Sequence, residues 1–256
     1  MKTTTKTIRL AKGERALACL TVYDAVTARI ASNGGADLVL IGDSMGNTVL
    51  GFENSVPVTL EMIEHHTAAV ARAKPDALIV ADIPFAVAHD EFSAVLHACA
   101  RLMRTGAEAV KIEGGVALAP LVTRLTAAGI PVCGHVGLQP QQVFQLGGYR
   151  KFGTTEGSDE VESVIADALA IERAGAFAIV GEMLSRPLAA KLRDELVIPL
   201  IGIGSGPTCD GQILVIHDLL GLTEKPPAFA KPYANLGTDA VNAVTRWVTD
   251  VRAANT

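Results

Sequence analysis

The chain has little with which to cross-link itself or to bind a polyanion. Its four cysteines, Cys19, Cys99, Cys133 and Cys209, are far apart and form no C-x-x-C pair. That argues against a disulfide framework or a structural zinc site and fits a reducing cytoplasm. There is no run of basic residues, and the net charge is −5 with a pI near 5.7, so no nucleic-acid surface is expected. No apolar run reaches the ~18 residues a bilayer span needs. Met1 to Arg15 is polar and basic, without the apolar core of a secretory signal. Nor is there an internal repeat or a low-complexity linker to mark a boundary, so residues 1–256 read as one domain.

What the chain does have is apolar residues, 49% of the total, and a mean hydropathy of +0.33. Strands buried on both faces and Ala-rich helices account for that surplus. Leu38-Val-Leu-Ile-Gly-Asp-Ser-Met-Gly46 shows the pattern. Four apolar residues run into Gly42, Asp43 and Ser44, and polar groups stand where the strand leaves the core. Taken alone, Asp43-Ser44 reads equally well as an ordinary turn.

Other segments repeat it. Strands are predicted at Ala16–Tyr23, Ala36–Gly42, Ala77–Ala81, Ala109–Ile112, Ile130–Gly134, Phe177–Gly181, Pro199–Ile203 and Gln212–Ile216. Between them the pattern gives helices over Ala25–Asn33 (capped by Asp24), Thr59–Lys74, Glu91–Thr105, Val116–Ala128, Ser158–Ala174 and Arg186–Glu195, with a last one around Ala240–Ala253. Gly34-Gly35, Gly106, Gly129 and Gly175 each end a helix shortly before a strand. Val136 to Gly157, rich in Gln and Gly, lacks either period and reads as a lid or substrate-binding loop. About eight β-α units in one series indicate a (β/α)₈ TIM barrel. A doubly wound sheet is the alternative, although no Gly-rich fingerprint follows the first strand.

In a barrel the carboxyl ends of the strands share one face, where loops build the site. The predicted strands end in Asp43-Ser44, Asp82, Glu113, His135 and Glu182, with Lys111 two residues before Glu113 and on the same strand face. Each alone is equally readable as a solvated strand end. Together, so many acids in one mouth repel unless a cation lies among them, and an all-oxygen set suits Mg²⁺. Asp43 and Asp82 are the expected ligands, with Glu113 nearby, and Lys111 could neutralise a substrate carboxylate. A divalent metal chelating a 2-oxo acid stabilises its enolate. Glu182, between Val180-Gly181 and Met183-Leu184, is the expected base, its pKa raised by apolar walls; a strand-end ion pair with Arg186 is the alternative. Ile201-Gly-Ile-Gly-Ser-Gly206 invites a weaker phosphate reading, with no basic residue close by in sequence. His65-His66 lacks the i, i+4 spacing of a zinc site.

Thr21-Val-Tyr-Asp24, Gly42-Asp-Ser-Met-Gly46, Ala81-Asp-Ile-Pro-Phe85, Val110-Lys-Ile-Glu-Gly-Gly115, Pro131 to Leu138, Gly147-Gly-Tyr149, Ile201-Gly-Ile-Gly204, Asp210-Gly-Gln212 and His217-Asp218 together resemble the ketopantoate hydroxymethyltransferase family, from about Ala16 to Ala234. The resemblance implies a Mg²⁺-dependent barrel, commonly a decamer, using 5,10-methylenetetrahydrofolate as one-carbon donor. It implies that Asp43 and Asp82 hold metal and substrate, with Glu113 bound directly or through water. Ser44 and Lys111 would bind the keto acid, His135 would help line the site and Glu182 would accept the proton. Met183-Leu-Ser185 departs from the family's Cys-Val-Pro-like tripeptide, and Tyr149 to Gly153 is slightly atypical. The rivals are a Mg²⁺-dependent C–C lyase or mutase of the phosphoenolpyruvate mutase/isocitrate lyase group, and a non-catalytic keto-acid-binding barrel.

Overall fold

A computed structural model of the chain describes residues 2–254. Eight parallel strands close into a barrel in sequence order: β1 (Leu17–Thr21), β2 (Leu38–Ile41), β3 (Leu78–Asp82), β4 (Ala109–Glu113), β5 (Val132–Gly137), β6 (Ala178–Glu182), β7 (Leu200–Ile203) and β8 (Gly211–Val215). The helices are α1 (Thr5–Leu10), α2 (Ala25–Asn33), α3 (Met45–Thr48), α4 (Leu60–Arg72), α5 (Phe92–Thr105), α6 (Ala119–Ala127), α7 (Val143–Leu146), α8 (Asp159–Arg173), α9 (Arg186–Glu195), α10 (Ile216–Leu219) and α11 (Leu236–Ala254). The chain forms two compact units, one up to Ile213 and one from Leu214 onward. In the second, α11 carries exposed Val241, Val244 and Trp247. No helix among the described residues is long and apolar enough to cross a membrane.

The barrel interior obeys the two-residue strand period. Leu17 and Cys19, Leu38 and Leu40, Leu78 and Val80, Ala109, Cys133, Ala178 and Val180, Ile201 and Ile213 form one buried cluster. Small Ala109, Cys133 and Ala178 sit among larger Leu and Val side chains, which lets the layers interdigitate. Ile8 and Ala11 join this cluster. They come from α1 and the residue just after it, in a segment the sequence reading passed over as polar. Thr4 closes the start of α1 with a reciprocal cap to Thr7.

Most predicted elements stand where expected, and α2 and α9 match residue for residue. Asp24 caps α2 by accepting from the Val26 and Thr27 amides. Four differences matter. β5 runs on to Gly137, so His135 lies inside the strand, paired in register with Glu113, and not beyond its end. The 136–157 loop is not structureless: a 3-10 turn at Pro140–Gln142 and α7 fold within it. The predicted Val116–Ala128 helix is a 3-10 turn at Val116–Leu118 followed by α6. His217 and Asp218 do not follow a strand directly but lie within α10.

The extension of β5 is held by tertiary contacts. Gly134 faces α8, where a β-carbon would come 2.5 Å from Ile171 Cγ2. Gly137 has φ +87° and packs so closely on the Glu182 carbonyl that a β-carbon would collide with it. The Leu138 amide donates to that same carbonyl at 2.9 Å, binding the end of β5 to the end of β6.

Candidate active site

The inward series that fills the barrel with Leu, Val and Ala continues upward into polar residues. Above Leu78 and Val80 comes Asp82; above Ala109 come Lys111 and Glu113; above Cys133 comes His135; above Ala178 and Val180 comes Glu182. Period two forces all of them toward the axis, and parallel pairing brings Asp82 beside Lys111 and Glu113 beside His135. Asp43 reaches the same place from the turn after β2, its amide donating to Asp82 Oδ2 at 3.2 Å.

Asp43, Asp82 and Glu113 are buried, and each offers a carboxylate oxygen within 4.8 Å of the others. Lys111 Nζ lies 3.0 Å from Asp82 Oδ1 and 3.4 Å from Glu113 Oε1. Three carboxyl groups outnumber the one ammonium beside them. The strain shows in the acidities. Burial, then Asp82 and Glu113, hold the Asp43 carboxyl well above the usual range, with Lys111 and the Gln141 amide opposing. Burial raises Asp82 as well, against the pull of Lys111. For Glu113 burial is outweighed by Lys111 and His135, which keep it ionised. Burial likewise opposes the charge on Lys111, but Asp82, Glu113 and Asp43 overcome it and the ammonium is retained. Asp82 Oδ1 is buried without an aligned hydrogen bond. Three oxygen donors, more acids than cations to pair them and an incompletely satisfied carboxylate fit a hard divalent cation such as Mg²⁺.

Ser44 stands beside this cluster, 2.9 Å from the hydroxyl of buried Tyr23. The Glu182 side chain is 15% exposed, against 2% for Glu113 and 1% for Asp82. Its neighbour is His135, whose Nε2 lies 3.2 Å from Glu182 Oε2, whereas Arg186 is exposed. The surroundings of Glu182 are therefore not purely apolar. The segment after Glu182 is tightly held. Met183 takes the left-handed conformation, φ +52°, with its amide bonded to Ile203 O and its carbonyl to Phe152 N, each at 2.8 Å. Leu184 is fully buried and donates to Ser205 Oγ, and Ser185 caps α9 by accepting from the Leu188 amide. Ser205 Oγ in turn donates to Gly181 O at 2.7 Å. The glycine-rich stretch after β7 thus fastens the backbone next to Glu182. Arg186 packs on Gly206, a basic neighbour that sequence proximity did not reveal.

Gln141 was not singled out from the sequence, beyond belonging to the candidate lid. Its side-chain amide donates to Asp43 Oδ2 and to Ile83 O, both at 2.9 Å, and its backbone amide donates to Glu113 Oε2 at 3.1 Å. Only the folded loop brings it there. Tyr149, on the same segment, has an exposed ring whose phenol is pushed up by partial burial and by the charges of Glu182, Asp43 and Glu113.

A closed parallel barrel with its charged groups gathered at the carboxyl ends of the strands defines an enzyme of the (β/α)₈ class. The ketopantoate hydroxymethyltransferase family profile matches residues 2–255. The 3-methyl-2-oxobutanoate hydroxymethyltransferase of Caldivirga maquilingensis is 50% identical over 241 residues, which is 94% of this chain and 90% of that one. The chain belongs to the ketopantoate hydroxymethyltransferase family. Among solved structures, 2,3-dimethylmalate lyase, a PEP mutase/isocitrate lyase superfamily member, superposes with a TM-score of 0.61 at 19% identity, covering 100% of this chain and 90% of that one. Phosphonopyruvate hydrolase in complex with oxalate and Mg²⁺ gives 0.64 at 14%, covering 99% and 88%. At these identities the two share the fold.

Proposed function

We propose that the chain transfers a hydroxymethyl group from 5,10-methylenetetrahydrofolate to 3-methyl-2-oxobutanoate, giving 2-dehydropantoate for pantothenate biosynthesis. The observation that carries this reading is the pairing of a three-carboxylate cluster with a separate, partly exposed carboxylate, Glu182, on the same inward series. The relatives' name supports 3-methyl-2-oxobutanoate as acceptor and hydroxymethyl as the group transferred, and the folate donor is what the family resemblance implies. Asp43, Asp82 and Glu113 would hold Mg²⁺, which when bound polarises the 2-oxo group and stabilises negative charge developing on it. Ser44 and Lys111 bind and orient the keto acid, Lys111 by its charge. Glu182 takes the C3 proton. The C3 carbanion forms a bond to the methylene carbon of the folate as its carbon–nitrogen bonds break, and water supplies the hydroxyl while tetrahydrofolate leaves. Tyr149 and its loop cover the folate side of the mouth. The working form is a cytoplasmic homo-oligomer, a decamer by family resemblance, which light scattering tests directly.

The chemical test is Glu182→Gln with Mg²⁺ and 3-methyl-2-oxobutanoate in D₂O. Removal of a general base costs about 10²–10⁴-fold, so exchange at C3 should fall by at least about 100-fold while the keto acid still binds. Exchange at the wild-type rate would take Glu182 out of the role of base.

A further inference from the structure

Both ring nitrogens of His135 face protein carboxylates and Lys111 rather than open solvent. It is buried, 3% exposed, between groups from two strands. Nδ1 faces β4, 3.1 Å from Lys111 Nζ and 3.3 Å from Glu113 Oε1. Nε2 faces β6, 3.2 Å from Glu182 Oε2. Nε2 is fully enclosed and makes no aligned hydrogen bond. The contact to Glu182 is close but bent, and no other acceptor is in reach among the described residues.

The tautomer follows from these neighbours. An ammonium can only donate, so Lys111 requires a lone pair on Nδ1, which puts the ring hydrogen on Nε2. If instead the ring is protonated, Nδ1–H turns to Glu113 Oε1 at 3.3 Å and Nε2 still carries a hydrogen. The remaining tautomer would set two lone pairs against each other at Glu182. In both permitted states Nε2 carries the hydrogen, and Glu182 Oε2, at 3.2 Å, is the acceptor beside it although the pair is not aligned as a hydrogen bond.

We infer that His135 is a positioning residue for the base: Nε2–H holds one oxygen of Glu182 and leaves the other free for the substrate proton. Backbone contacts fasten the residues on either side of Glu182 through Leu138, Ser205 and Phe152. They do nothing for the carboxylate at the end of a three-torsion side chain. His135 supplies that restraint, and the bent contact straightens as the substrate settles, as catalytic hydrogen bonds in empty sites commonly do. The Lys111 and Glu113 side of the ring keeps the imidazole from turning. This assignment rests on the reading of Glu182 as the base. It goes beyond the family expectation that His135 helps line the site.

Two substitutions separate the two ring nitrogens. In His135→Gln the side-chain amide nitrogen falls near Nε2 and can still donate to Glu182. In His135→Asn the shorter side chain reaches only the Nδ1 position, where its carbonyl oxygen can accept from Lys111, and loses Glu182. With Mg²⁺ and 3-methyl-2-oxobutanoate in D₂O, His135→Gln should exchange C3 within about 10-fold of wild type, and His135→Asn should lose about 100-fold. The KM for the keto acid should stay within about 3-fold in both, because neither contacts substrate. Imidazole ¹⁵N spectra of the wild type should show hydrogen on Nε2, with a resonance that moves in Glu182→Gln. Wild-type exchange in His135→Asn would overturn the assignment, as would equal loss in both variants with a raised KM or an Nε2 without hydrogen. Absence of exchange in the wild type, or full exchange in Glu182→Gln, would instead overturn the reading of Glu182 itself and remove the assignment with it.

Discussion

Lys111→Met is the most searching perturbation of the charge balance proposed for the barrel mouth. Methionine keeps nearly the same length and volume, so packing changes little. What is lost is the ammonium among Asp43, Asp82 and Glu113, whose side chains, like that of Lys111, are almost wholly out of solvent. Removing one partner of a buried ion pair typically costs about 3–5 kcal/mol. For a domain of this size 1 kcal/mol moves the melting temperature by about 2–4 °C, so the drop should be roughly 6–20 °C. The pH dependence has a definite sign. Asp43 and Asp82 already have raised pKa values in the folded state, from an ordinary 3.8. Such groups bind more protons folded than unfolded, so their contribution is complete below the unfolded value and is lost as pH rises through the folded one. Without Lys111 both rise further. The deficit should therefore be smallest at low pH and grow as pH rises through the raised pKa values of the two carboxyls. Mg²⁺ at about 100 times its dissociation constant should return about 2.7 kcal/mol, through a cluster that now needs it more. Differential scanning calorimetry across pH, with and without Mg²⁺, checks all three statements. A variant that melts with the wild type at every pH, and gains no more from Mg²⁺, would refute the charge-balance account.

Asp43→Asn or Asp82→Asn should weaken Mg²⁺ binding at least about 100-fold in calorimetric titration, since even outer-sphere partners of a metal are worth 10–100-fold. Glu182→Gln should bind Mg²⁺ as the wild type does; an unchanged affinity in Asp43→Asn would place the cation elsewhere. Gly134→Ala pushes a methyl against Ile171 and should cost about 1–3 kcal/mol in urea unfolding, with less than additive loss in combination with Ile171→Ala. Burial pushes the thiols of Cys99 and Cys133 up to about 12 and that of Cys209 up to about 11, so at neutral pH a chromogenic disulfide should react slowly. Partly exposed Cys209 should react first, and rapid reaction of all four in the native protein would contradict the burial.

The sequence by itself determined the barrel and most of the mouth. Eight short apolar runs separated by capped helices allow few other folds, and period two carries Lys111 and Glu113 to one side whatever surrounds them. Asp43, Asp82 and Glu182 were visible for the same reason, as polar breaks at the ends of runs such as Leu38–Ile41 and Ala178–Gly181. Boundaries where tertiary contacts overrode the local signal were not visible. β5 continues through His135 because Glu113 pairs with it and Gly137 packs on the Glu182 carbonyl, and both partners lie far along the chain. The N-terminal helix was missed because its contribution to the core is Ile8, with Ala11 just beyond it, set in a polar stretch. Gln141 reached Asp43 across 98 residues, a separation no local pattern encodes. The tertiary structure alone decided which way each nitrogen of His135 points, because that depends on Lys111 and Glu113 on one strand and Glu182 on another. Residue type and strand period are local and readable; the partner a buried side chain finds is set by strands brought together only when the barrel closes.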